Sequence, residues 1–345
     1  MTTIEITRHD QGVRSKTPVT LIKWLFVKLG VLPFLMLAAM ITFTLLSDNF
    51  LTSRNLINVA RQSSYLTIVS LGQMLALISG GIDLSVGTTL AITSVVSAMA
   101  MVASLSAMPD MVGLSILIGI AAGLAAGIAL GAINGAGISL FGVNPFMMTL
   151  GMSSVGFGAA LYLTSGIPVQ GIPEAFGAIL GFGTFLGLPV PIYVTAVLIG
   201  IVYLLLNWTR LGRYIYAVGG NVKASRLSGI DPGATLFKTY VLCGALTTIS
   251  GLMLTARLAT GEANIGASMP LESIAACVIG GVSLSGGTGR VGGVVLGAIF
   301  IGLVQNGMNL AKVDSYLQMV AIGTILIVAV VADRIRLRLI REMAS

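Results

Sequence analysis

Long apolar runs rule this chain. Stretches close to the roughly 17 to 25 residues that a bilayer core demands of a helix recur from Leu29 to Ala332, and short polar connectors part them. They fall at 29–46, 64–79, 86–104, 112–133, 145–164, 189–207, 237–256, 271–283, 291–310 and 315–332. Backbone polar groups in lipid must be satisfied within their own segment, so each run reads as a helix. The expectation is an all-α polytopic membrane protein with about ten transmembrane helices. Glycine interrupts the hydrophobicity around 80–87 and 271–290, and an eight-span arrangement with the shorter segments re-entrant stays open. Composition agrees: of 345 residues, 56% are hydrophobic and 9% charged, with a mean hydropathy of +0.99. A soluble domain of that composition would expose large apolar patches.

Charge sets the orientation. Arg8, Arg14, Lys16, Lys23 and Lys28 fill the tail 1–28, and the tail 333–345 carries Arg334, Arg336, Arg338 and Arg341. With both tails and the loop 208–236 inside, 15 of the 19 Lys and Arg residues lie on the cytoplasmic side, leaving Arg54, Arg61, Arg257 and Lys312 outside. That bias predicts cytoplasmic N- and C-termini around a transmembrane domain of residues 29–332. Ser47-Asp48-Asn49-Phe50 after the first run is no cleavage site, so the first span reads as uncleaved. The net charge of +7 sits in short clusters beside apolar runs, as orientation signals do, and implies no nucleic-acid partner.

The stretch Trp208–Leu236 is the one long polar interruption in mid-chain. Arg210, Arg213, Lys223 and Arg226 lie within it and Lys238 just beyond. Asn221 can cap a short helix over 222–228, Gly229 can take the left-handed turn that ends it, and Asp231-Pro232 blocks continuation. So short a helix is marginal alone and needs something to pack on. A plain solvated connector is the competing reading.

Gly119, Gly123, Gly127, Gly131 and Gly135 recur every four residues and predict a bare helix face for close packing. Gly80–Gly87 (GGIDLSVG) and Gly280–Gly287 (GGVSLSGG) resemble each other. Both fall on the cytoplasmic side of the charge-derived topology, so they are not inverted counterparts, and the likeness reads as coincidence between Gly-rich turns. Asp83 stands out because an acid at the membrane edge is costly unless satisfied or functional. It can cap the next helix through N–H groups near Ser85 and Val86, or it can touch substrate or ion.

Catalytic chemistry finds little support. There is no GxxxxGK[ST], HExxH or GxSxG, although Leu284–Gly287 spells the start of an ATP-binding cassette ATPase signature. His9 is the sole histidine, and Cys243 and Cys277 sit in apolar runs without metal-ligand spacing. The chain reads as a non-enzyme that binds no cofactor or metal.

Several ordered landmarks resemble the permease subunits of ribose-type ATP-binding cassette sugar importers. They are GGIDLSVG at 80–87, Asn134-Gly135, Asn144-Pro145-Phe146, and Thr149-Leu150-Gly151. Ala217, Gly219, Asn221, Ala224 and Ser228-Gly229-Ile230 follow in the central loop, and Leu271–Ala276 with Val278–Gly281 and Leu284–Gly287 come late. Glu272-Ser273 departs mildly from the family's pattern. The resemblance runs from about 29 to 332.

The resemblance implies a multi-pass permease of the bacterial inner membrane, forming the pathway for a pentose, hexose or related polyol. Its implied partners are a cytoplasmic ATP-binding subunit that uses the ATP and usually fuses two ATPase domains, a periplasmic sugar-binding protein, and a second permease copy or paralogue. Gly219, Asn221, Lys223, Ala224, Arg226, Ser228 and Gly229 would then form the coupling segment to the ATPase. Asp83, Ser85, Asn134 and Asn144 are candidates for helix caps or the pathway. An ion-coupled secondary transporter or a channel is the rival class, separable by whether uptake needs ATP and a binding protein.

Overall fold

The computed structural model describes residues 32–344. In chain order the helices are α1 (Leu32–Leu46), α2 (Ser53–Ile78), α3 (Val86–Ala107), α4 (Val112–Leu140), α5 (Pro145–Thr164) and α6 (Glu174–Phe176). A π-helical turn (Gly177–Gly181) and the hairpin β1 (Thr184–Phe185) with β2 (Leu188–Pro189) follow, Thr184 facing Pro189. Then come α7 (Val190–Trp208), α8 (Arg210–Gly220), α9 (Val222–Leu227), α10 (Pro232–Leu258), α11 (Met269–Ile279), α12 (Val291–Leu310) and α13 (Ser315–Ala344). The N-terminal tail 1–28 and the first residues of the 29–46 run lie outside the described residues.

α2 is the axle of the bundle. It is buried without a break from Ser63 to Ile78, with α10, α12, α11 and α7 packed around it. A helix wrapped on all sides has no polar face to offer water, and neighbouring helices meet some of its backbone carbonyls. The Ser250 hydroxyl donates to the Tyr65 carbonyl at 2.9 Å and the Cys277 thiol to the Ser70 carbonyl at 3.3 Å, while the Ser63, Tyr65 and Ser70 hydroxyls are buried without a partner among the described residues. Asn55 and Asn306 exchange two amide bonds at 2.9 and 3.0 Å.

Helix lengths correct parts of the span reading. Among the described residues six helices are long and apolar enough to cross a membrane: α3, α4, α5, α7, α10 and α12. α2 begins at Ser53, well before the expected Ser64, because Thr52 caps it by accepting from the Asn55 N–H at 3.4 Å. The 271–283 run holds the 11-residue α11, about 16 Å long, against a hydrocarbon core of about 30 Å. Gly280 and Gly281 stop it, with Gly281 at φ +84°, in the stretch where glycine interrupts the hydrophobicity.

The five spaced glycines lie along one face of α4, buried against α3 and α10. A Cβ on Gly119 would stand 2.7 Å from the Ser97 carbonyl oxygen, and one on Gly123 3.0 Å from Leu252 Cδ2. On Gly127 it would meet Thr248, on Gly131 the Tyr240 carbonyl at 2.6 Å, and on Gly135 the Phe237 carbonyl at 2.9 Å. Gly244 of α10 answers Gly131, 3.0 Å from its Cα by the same measure. Backbone lies on backbone at this crossing.

Candidate functional site

The loop between α2 and α3 is where the scattered landmarks meet. The Asp83 carboxylate, on a residue 2% exposed, accepts from the Ser85 N–H at 2.8 Å and from the Ser85 hydroxyl at 2.6 Å. The Asn134 amide of α4 donates to that same hydroxyl at 2.7 Å. The Val86 N–H takes no part, so the bond is a local turn to Ser85, which is itself the residue preceding α3.

The backbone of this loop is held as closely as the carboxylate. The Ile82 carbonyl accepts from the Thr149 hydroxyl at 3.1 Å and from the Tyr240 hydroxyl at 3.4 Å. With its oxygen and nitrogen oriented so that both are satisfied, the Gln73 amide donates to the Asp83 carbonyl at 2.9 Å and accepts from the Asp83 N–H at 3.3 Å. Gly81 leaves room for Pro145 Cβ, 3.1 Å from where its own Cβ would be. Four helices therefore converge on Gly81, Ile82, Asp83 and Ser85. Asn144 stays out of this network and caps α5, its side chain accepting from the Phe146 N–H at 2.9 Å.

The central loop holds two helices where the sequence reading placed one. Thr209 opens α8, accepting from the Gly212 N–H at 3.1 Å. Leu211 and Ile215 pack against a core that includes Ile78, Val282 and Val291, and Val218 is buried on the same face, while Arg210, Arg213 and Tyr214 face out. The spacing of those three apolar residues was the available signal. α9 follows, opened by the Asn221 side chain at 2.9 Å from the Ala224 N–H and closed by Ser228, whose N–H bonds the Ala224 carbonyl at 3.0 Å. Gly229 takes φ +78° with open space around it. Ser225 is buried, Lys223 and Arg226 are exposed, and Leu227 is 89% exposed.

The two Gly-rich turns are structural kin and they touch. After α2, the Gly81 N–H bonds the Ala76 carbonyl at 2.9 Å; after α11, the Val282 N–H bonds the Cys277 carbonyl at 2.9 Å. The residues before them, Gly80 and Gly281, take φ +90° and +84°. This is the same closure of a helix end, built twice. The Gly287 N–H donates to the Ile78 carbonyl at 2.8 Å. The geometry matches at an offset of 201 residues and the sequence likeness at 200, so the likeness itself is left unexplained, while the two turns touch on one end of the bundle. Gly219 of α8 sits between them, its missing Cβ filled by the Ile78 carbonyl and standing 2.8 Å from Gly287 N.

Asp83, Ser85 and Asn134 thus form one cluster, and Gly219 through Gly229 a second, packed over the turn that starts the first. Sequence reading singled out Thr149 only as a landmark of the resemblance and missed Gln73 and Tyr240, whose spacing from the loop carries no local pattern. Among the described residues no group of three or more His, Cys, Asp and Glu could hold a metal ion. The cluster contains no base-activated nucleophile and holds backbone in place.

A bundle of membrane-length helices with a basic helical loop seated on one end defines a multi-pass membrane protein. A family model described as Branched-chain amino acid transport system / permease component matches residues 55–330, and the chain belongs to that family. It is 38% identical to Ribose import permease protein RbsC of Escherichia coli (strain K12) over 316 residues, 90% of this chain and 94% of that protein. Identity to D-allose transport system permease protein AlsC of the same strain is 34% over 309 residues, 89% of this chain and 92% of that one. L-arabinose transport system permease protein AraH of that strain is 38% identical over 286 residues, 83% of this chain and 84% of its own. No solved structure matches the chain significantly.

Proposed function

We propose that this chain is the permease subunit of an ATP-binding cassette importer, forming the membrane pathway for a pentose, hexose or related polyol. The sugar reaches it from a periplasmic binding protein, and the ATP is hydrolysed by a separate cytoplasmic subunit whose two ATPase domains are fused. Relatives named for ribose, allose and arabinose support the substrate class. The chain sits in a bacterial inner membrane beside a second copy or paralogue, both termini in the cytoplasm, with about ten passages counting the half-length α11.

The observation that carries the reading is α9. A capped helix on the cytoplasmic end presents Leu227, 89% exposed, directly after the exposed Arg226 and one turn on from the exposed Lys223. A large apolar side chain held into water within a basic loop fits insertion into a partner's cleft better than a solvated connector. A cleft of about 470 Å³ beside it, lined by Leu140, Asp231, Phe237 and Lys238, extends the same surface. ATP binding would draw two such helices together and tilt the helices they are attached to.

In this reading Asp83, Ser85 and Asn134 position the α2–α3 loop and touch no sugar. The buried carboxylate, which accepts twice from Ser85, supports that assignment. Proteoliposomes holding the chain with its ATP-binding subunit and binding protein should take up one of ribose, allose or arabinose only with ATP inside. Uptake that runs on an ion gradient without ATP overturns the proposal. For topology, single cysteines replacing Lys223 and Lys312 should label from opposite sides of the membrane, and labelling from the same side refutes the orientation.

A further inference from the structure

α8 is joined to the membrane core at three places, and none of them depends on a flexible side chain meeting another. The Tyr216 hydroxyl donates to the Gly289 carbonyl at 2.8 Å. Gly219 lies directly on the Ile78 carbonyl and near Gly287 N. A Cβ on Gly287 would stand 2.9 Å from Gly220 Cα, and one on Gly286 2.6 Å from the Gly219 carbonyl oxygen and 2.9 Å from Gly80 Cα. The last residue of α8, Gly220, is one residue from the Asn221 that opens α9. Beneath, Ile215 is buried in the core that holds Ile78, Val282 and Val291, and Val218 is buried as well. Burial pushes the Tyr216 phenol above its usual pKa, Arg290 pulling it partly back, so the hydroxyl stays a donor.

We propose that α8 is a rigid lever that carries displacement of α9 into two places at once, the α2–α3 loop through Ile78 and Gly80 and the turn before α12 through Gly286, Gly287 and Gly289. Tyr216 and Gly219 are its positioning residues. Close-packed backbone contacts resist compression, so a push on α8 moves both turns instead of being absorbed by side-chain rotation. The first turn leads to the cluster around Asp83 and the second to α12, which packs along α2. One input would thus shift both turns at this end of the central helix set together.

The inference rests on the docking of α9 proposed above, and the test separates the two. Hydrogen exchange is followed in the full complex of permease and ATP-binding subunit, with and without ATP plus vanadate, in the native chain and in Tyr216→Phe and Tyr216→Leu. Tyr216→Phe keeps the ring and removes one hydrogen bond. In the native complex the nucleotide should change exchange in α9 and in both turns, 80–85 and 283–289. In the variants the α9 change should persist, while the change at 283–289 falls about five-fold, the weight of one neutral hydrogen bond. Equal responses of the turns in native and variant complexes overturn the lever. No response of α9 in the native complex overturns the docking reading and the lever with it. A variant that merely loosens the fold raises exchange without nucleotide throughout, and that outcome also counts against the lever.

Discussion

Asn134 of α4 donates to the hydroxyl of Ser85 at 2.7 Å, joining residues 49 positions apart, and this bond ties the glycine-faced helix to the loop that starts α3. The same hydroxyl gives its own proton to Asp83 at 2.6 Å. Polarity runs in one direction through the three residues, with the carboxylate as the final acceptor. Substitutions along this chain should therefore be unequal in effect.

At Asp83, an Asn side chain keeps an oxygen for Ser85, whereas Leu strands a buried N–H and a buried hydroxyl. Asp83→Asn should retain most transport, and Asp83→Leu should lose about 1–3 kcal/mol of stability together with transport. Thermal melts in detergent and uptake assays check both. A stable, correctly assembled Asn variant that does not transport would show that the charge itself is required.

Asn134→Ala removes the donor but also an amide oxygen that is buried without a partner. The two effects oppose, so the loss should be about 1 kcal/mol and smaller than that of Asp83→Leu. Melting points in the reverse order would refute the polarity assigned to the chain of bonds.

The α4 glycines should rank by what faces them. Gly131→Ala drives a methyl at the Tyr240 carbonyl, which belongs to backbone, and should cost more than Gly127→Ala, which meets the movable Thr248 side chain. Gly127→Leu should overpack by about 1–3 kcal/mol or more and reduce membrane yield. Gly158 of α5 has nothing within 4 Å, so Gly158→Ala should be neutral or gain slightly in the isolated chain. Equal melts for all four would mean that the crossing is looser than described.

In the central loop, Gly229→Val places a β-branched residue at φ +78° and should strain the exit of α9. Arg226→Glu reverses an exposed charge without touching the core and should leave folding intact. Both should weaken capture of the ATP-binding subunit, measured by copurification from membranes. Full association with normal ATP-driven uptake in both variants would remove α9 from the docking surface.

Hydrophobic periodicity and capping chemistry made much of this architecture legible. The expected bounds 145–164 are those of α5, and α7 and α12 fall within a residue of theirs, because Pro145, Pro189 and the Gly-rich connector before Val291 mark sharp entries. Asn221 and Gly229 bracket α9 for equally local reasons. Sequence reading failed where tertiary contact overrides composition. The polar first turns of α2, opened by the Thr52 cap, are also met across the bundle by Asn306 at Asn55, and α11 ends at its glycine pair, short of the expected 283. The cluster around Asp83 was half legible: Asp83, Ser85 and Asn134 stood out as polar residues in apolar surroundings, while Tyr240 and Thr149 find Ile82 only through the fold.

The junction of Gly80, Gly219, Gly220, Gly286 and Gly287 has a genetic consequence. An enlarged side chain in an ordinary core can be offset by a smaller neighbour elsewhere, so second-site suppressors arise readily. Here the atoms on the other side are the Ile78 carbonyl and the main chain of further glycines. Nothing remains to be trimmed. A selection for revertants of Gly219→Ala should return true revertants or changes in chain length around 283–289, and few compensating substitutions within the junction.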